Sequence, residues 1–107
     1  MDKLENYRQI IQQTVNHHAQ YIPSHGQIKS IPIIDTVHDN YLLMDIGWNH
    51  NKRVHDVIFH LRIEESKIWI EWDGVETGIA QDLIEAGIPK EDIILALFQQ
   101  PPTSQQA

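Results

Sequence analysis

Between residues 41 and 73 the chain reads YLLMDIGWNHNKRVHDVIFHLRIEESKIWIEWD, and this stretch limits the fold more than any other. It holds three runs of alternating apolar and polar residues. Leu42, Met44, Ile46 and Trp48 form the first aliphatic row, alternating with Tyr41, Leu43, Asp45 and Gly47. Val57, Phe59, Leu61 and Ile63 form the second, and Ile68, Ile70 and Trp72 the third. Such alternation marks strands with one face on a core and one toward water. The connectors Asn49-His50-Asn51-Lys52 and Glu64-Glu65-Ser66-Lys67 are polar and short, so adjacent runs are expected to pair antiparallel.

The flanking segments must bury their apolar faces on this sheet. Leu4, Tyr7, Ile11, Val15 and His18 or Ala19 share one side of a helix over residues 3–21, with a stop near Pro23 and Gly26. Residues 28–37 are rich in β-branched side chains and predict a first strand; Pro32 lacks an N–H and suits an edge. After Asp73-Gly74, Ile79, Ala80, Leu83 and Ile84 predict a helix closed by Gly87. Pro89 then opens a further helix with Ile93, Ile94, Leu97 and Phe98 on its apolar face. The expected architecture is α+β: an N-terminal helix, a four-stranded antiparallel meander and a C-terminal αα-hairpin, with the helices on one sheet face. Residues 1–98 make a single domain, and residues 99–107 a disordered polar tail.

Charge narrows the function. The net charge of −7 lies entirely in the second half: residues 1–63 carry equal numbers of acids and bases, whereas residues 64–92 carry nine acids against Lys67 and Lys90. Phosphate binding relies on Lys and Arg, so this field disfavours nucleic acid and suits a basic protein partner. Solubility alone is the competing explanation. There is no cysteine, which removes disulfides and thiolate chemistry. The start MDKLENYRQII lacks the apolar core of a signal peptide, and no apolar run spans a membrane, so a cytoplasmic location is expected.

No catalytic motif stands out. The seven histidines show no ligand spacing: His17 and His18 diverge on a helix, His55 and His60 are expected on opposite sides of one strand, and His38 and His50 fall in different turns. Asp45 and Glu71 interrupt apolar strands, with Asp56 expected near Asp45 across the hairpin. A carboxylate pair there would be the enzymatic alternative, a small enzyme or nuclease component. Outward positions on a one-sided sheet explain the same residues. Residues 82–97 imitate a helix-turn-helix, which makes DNA binding through the 79–98 helix pair another alternative. The second helix would open with Lys90-Glu91-Asp92, however, which is poor chemistry for reading DNA. Trp48 and Trp72 share the aliphatic rows and are expected in the core. Trp69 alternates out with Glu71 and is either an exposed anchor or covered by the first helix.

The chain resembles a known family at Gly47-Trp48, Arg53-Val54-His55, Lys67-Ile68-Trp69-Ile70, Asp73-Gly74 and Gly78-Ile79-Ala80, and most of all at EAGIPKEDIILALF, residues 85–98. In this order and spacing they resemble the fdxN element excision controlling factor family, XisI, of cyanobacteria. The resemblance implies an accessory role in a developmental DNA rearrangement of heterocyst differentiation, beside a separate recombinase and a companion protein, XisH. It carries over no catalytic residue. Relatives continue Phe-His-Pro-Pro where Phe98 is followed here by Gln99-Gln100-Pro101-Pro102, and Val75 replaces a usual polar residue. The expected function is therefore a non-enzymatic controlling factor for excision of a DNA element. Its expected partners are a XisH-like protein or a second copy of the chain, with no cofactor, metal, nucleic acid, membrane or small-molecule substrate. Docking is assigned to Trp69, Glu71, Glu76, Asp82 and Glu85.

Overall fold

The computed structural model describes residues 2–20 and 27–99, so the stop at residues 23–26 and the tail at 100–107 lie outside it. Helix α1, Lys3–Ala19, begins where the Asp2 carboxylate accepts the Leu4 N–H, the usual satisfaction of a free helix-end donor. Its stripe of Tyr7, Ile10, Ile11 and Val15 is buried as the periodicity requires. Strands β1 (Gln27–Asp35), β2 (Asn40–Asn49), β3 (Lys52–Glu64) and β4 (Lys67–Asp73) come next, in an antiparallel meander. Strand β1 is the sheet edge, and Pro32 within it removes one donor from that edge.

The C-terminal αα-hairpin does not form. Helix α2, Ile79–Glu85, ends at Gly87 with φ 111°, where Gly87 and Ile88 donate to the Ile84 and Leu83 carbonyls. Pro89 then leads into a single 3-10 turn, Lys90–Asp92, and residues Ile93–Leu95 pair parallel with β4 as strand β5. The sheet is thus five-stranded and mixed, in the order β1-β2-β3-β4-β5. Two forces override the helical pattern. The outer edge of β4 offers unpaired backbone groups that a short β-branched segment satisfies. Asp92 is also held beside that edge by the Tyr7 hydroxyl, Lys3 at 3.0 Å and Lys67 at 3.6 Å.

Both helices lie on one face of the sheet, over Tyr41, Leu43, Phe59, Leu61, Ile63, Ile68 and Ile70. In β2 the core row is therefore the opposite of the expected one: Tyr41 and Leu43 point inward, and Leu42, Met44, Ile46 and Trp48 outward. Two β-bulges account for further reversals. Leu43 pairs with Phe59 but Met44 with Val57, so Ile58 is an extra residue in β3. Leu61 pairs with Ile70 but His60 with Trp72, so Glu71 is an extra residue in β4. Because side chains alternate with period two, each inserted residue switches the remainder of its strand to the other face. Val57 and Trp72 leave the core rows in which the sequence pattern places them, and His55 and His60 come to the same face.

The first bulge is closed from outside the β2–β3 ladder. The Gly74 N–H donates to the Ile58 carbonyl at 2.6 Å, and a Cβ on Gly74 would sit 2.7 Å from that oxygen. A second tie joins helix to sheet. Asp39, at φ 55°, accepts two bonds from the Arg8 guanidinium, at 2.8 and 3.1 Å, and one from the buried Tyr41 hydroxyl at 2.7 Å. Its carbonyl takes the Ile63 N–H. The Arg8 hydrogen bonds hold the Asp39 carboxyl below the usual carboxylate range.

Both ties can be tested by substitution. Gly74→Ala should destabilise the fold by about 1–3 kcal/mol, as forced overpacking does, read as a lowered urea midpoint. Asp39 has a depressed folded pKa, so its stabilising charge is fully present above the unfolded value of about 4 and is lost as pH falls through the lower folded value. Asp39→Asn, which keeps a residue tolerant of positive φ, should lower the melting temperature at pH 7. The gap to the wild type should narrow progressively as the pH is lowered below about 4.

Candidate functional site

Among the described residues, no helix covers the other sheet face. On it stand Ile31 and Ile33 from β1, Trp48 from β2, Val57 from β3 and Trp72 from β4, all exposed, with Trp48 49% and Trp72 52% accessible. Leu42, Met44 and Ile46 fill the space between them, half-buried. Polar groups are interleaved and largely satisfied. The Arg53 guanidinium lies 5.4 Å from the Trp48 ring, a cation–π distance. Arg62 bonds Glu71 at 2.9 Å and reaches Glu64 at 3.4 Å. His60 contacts Asn40 at 3.0 Å, and burial lowers the pKa of its imidazole, favouring the neutral form. A shallow hollow of about 490 Å³ lies among His55, Asp56, Val57, His60, Glu71 and Trp72.

The opposite side has a different chemistry. The His18 Nε2 lies 2.6 Å from the Asp82 carboxylate, joining the end of α1 to α2. His18 also borders two clefts. One, of about 460 Å³, is lined by Gln13, His17, Asp82 and Glu85 among others; the other, of about 360 Å³, by Ser30, Asp45, Ile58 and Glu76 among others. Asp73 stands close by, its two oxygens accepting the Val75 and Ile79 N–H groups and so capping α2 in place of a side chain at Gly78. Four acids of the second half, Asp73, Glu76, Asp82 and Glu85, therefore stand around the α1–α2 edge.

The five expected docking residues divide between these surfaces. Glu76, Asp82 and Glu85 come together at the helix edge, whereas Trp69 and Glu71 lie on the sheet face behind it. Trp69 is half-buried, out from under α1, and its indole N–H is spent on the Glu64 carbonyl at 3.0 Å. On the sheet face the exposed aromatic side chains are Trp48 and Trp72, which the sequence pattern assigns to the core; Phe98, expected on the apolar face of a second helix, is exposed as well. Glu71 falls at a polar position of the alternation, so the sequence pattern carries no mark of the bulge that turns Trp72 outward.

The Asp45–Glu71 convergence of the enzymatic alternative and the helix pair of the DNA-reading alternative do not form, whereas Asp56 stands across from Asp45 as expected. Asp45 bonds Ser30 at 2.7 Å on the helix-side face and stands opposite Asp56 in register, while Glu71 is on the other face, so Asp45 and Glu71 do not converge. Among the described residues no three His, Asp or Glu side chains are grouped to hold a metal ion. The expected recognition helix is replaced by the Lys90–Asp92 turn and β5.

Comparison with known proteins places this fold. The XisI protein family matches residues 1–107. The crystal structure of fdxN element excision controlling factor XisI from Anabaena variabilis ATCC 29413 shares 37% identity, with 99% of this chain and all of that one covered and a TM-score of 0.74. A XisI-like protein from the same organism shares 25% identity over 98% of this chain and 94% of its own, with a TM-score of 0.77. No curated protein matches the chain. With the family matched end to end and the fold shared with its solved structures, this chain belongs to the XisI family.

Proposed function

We propose that this protein is a non-catalytic controlling factor for excision of a DNA element, and that it acts by binding a protein partner. The name borne by its 37% identical structural relative supports the process. The observation that supports the mode of action is the acidic edge. Glu76 and Glu85 are exposed beside the His18–Asp82 pair, at the rim of clefts large enough to take side chains of a partner. Such a rim repels phosphate and attracts a basic protein surface. A XisH-like protein with a basic patch is the proposed partner. No helix among the described residues is long and apolar enough to cross a membrane.

Complementary charge mainly speeds encounter, so its signature is kinetic. Glu76→Lys with Glu85→Lys leaves the His18–Asp82 pair in place. It should slow association with a XisH-like protein about tenfold at low salt and flatten the salt dependence, read by surface plasmon resonance across a salt series. Unchanged association with the fold intact would remove the acidic edge from the mechanism. The protein by itself should give no shift of duplex DNA in a mobility assay at physiological salt; a sub-micromolar, steeply salt-dependent complex would restore the DNA-reading alternative.

A further inference from the structure

We propose that the sheet face away from the helices is the interface between two copies of this chain, packed face to face with their strands antiparallel across a two-fold axis. The axis lies in the interface plane and perpendicular to the strands.

The apolar content of the face calls for a cover. Ile31, Ile33, Trp48, Val57 and Trp72 are exposed on one continuous surface, where isolated exposed apolar residues would need no explanation. Four strands about 4.8 Å apart and nine residues long at about 3.3 Å each present roughly 600 Å² in projection. Accessible area exceeds projected area, so the face approaches the ~800 Å² per partner of a stable interface.

The charge layout selects a second copy as the occupant. At the hairpin end of β2 and β3 the face carries Lys29 and Arg53, with His55 beside them. At the other end Asp35, Glu64 and Glu71 outnumber Arg62 and Lys67, the latter turned toward Asp92. The apolar residues lie between. An interface between identical chains must be self-complementary. A two-fold axis across the strands turns one copy end for end, so each cationic end meets the other copy's anionic end while the apolar middles coincide. Register makes this concrete. Lys29 pairs with Ile46 and Asp35 with Asn40, so the two stand equally far on either side of Leu43. Arg53 and Glu64 are the corresponding positions at the two ends of β3. An axis along the strands would stack like on like. Two twisted sheets pack this way about 10 Å apart, as sandwich layers do.

The arrangement is independent of the acidic edge on the other side, so loss of one surface leaves the other testable. Sedimentation velocity over 1–200 µM should show a monomer–dimer equilibrium for the unmodified chain. Trp72→Glu, and separately Val57→Lys, should weaken it at least tenfold with an unchanged circular dichroism spectrum and melting curve. The decisive arm uses charge reversal. Lys29→Glu with Arg53→Glu makes both ends anionic; Glu64→Lys with Glu71→Lys makes both ends cationic. Each variant should be monomeric alone, and an equimolar mixture should dimerise. A wild type that is monomeric throughout, or a mixture that stays monomeric while each variant is folded, overturns the proposal. So does dimerisation that Trp72→Glu leaves untouched. A face covered only when a XisH-like protein is added, with no self-association, would likewise overturn it.

Discussion

One hydrogen bond closes the bulge that decides which side chains β3 shows to its surroundings. The Gly74 N–H reaches over to the Ile58 carbonyl and closes the bulge in β3. Without that inserted residue, Val57 would continue the Phe59-Leu61-Ile63 row into the core and His55 would face the helices. With it, Phe59 still packs inward while Val57 and His55 join the outer face. The second bulge, at Glu71, does the same for Trp72, and the displaced carboxylate is tied to Arg62. Both devices exchange core burial for an outer surface that is apolar and aromatic.

The helix layer is positioned by charge as much as by apolar packing. Arg8 on α1 grips Asp39 in the β1–β2 turn, Lys3 grips Asp92 before β5, and His18 meets Asp82 on α2. Each contact joins α1 to a different part of the chain. Hydrogen bonding lowers the pKa of the Asp39 and Asp92 carboxyls, while burial and the bond to Asp92 raise that of the Tyr7 hydroxyl to about 12. At neutral pH these groups are locked in the protonation states their partners require. The helix is thereby oriented over the sheet while Ile11 and Val15 supply the burial.

The result is a two-layer molecule with unlike outer surfaces: acidic around the ends of α1 and α2, apolar with separated charge on the sheet. The proposed binding role rests on that division. Gly47-Trp48, Arg53 to His55 and Asp73-Gly74, on which the sequence resembles the XisI family, help to shape both surfaces. Gly47 has its own reason: at φ 151° its missing side chain leaves room for the Gln27 carbonyl, which a Cβ would meet at 1.9 Å.

The amino-acid pattern alone dictates the α+β class, the long first helix, the meander of four strands, the edge position of Pro32 and the Gly87 stop. These come from local periodicity and from residues whose backbone chemistry allows few choices. The same pattern places the acidic surplus late in the chain. Which face of each strand is buried, by contrast, was settled by long-range packing. In β2 every position from 41 to 44 is apolar, so alternation there has two equally good phases, and the choice falls to what α1 can cover. Bulges are invisible to a period-two pattern because they change its phase without changing its composition. Residues 93–95 became a strand because the edge of β4 lay open beside them, a partner that no local pattern contains. The same long-range pairing set Trp69 and Glu71 apart from Glu76, Asp82 and Glu85, neighbours in sequence that the sheet holds on opposite sides.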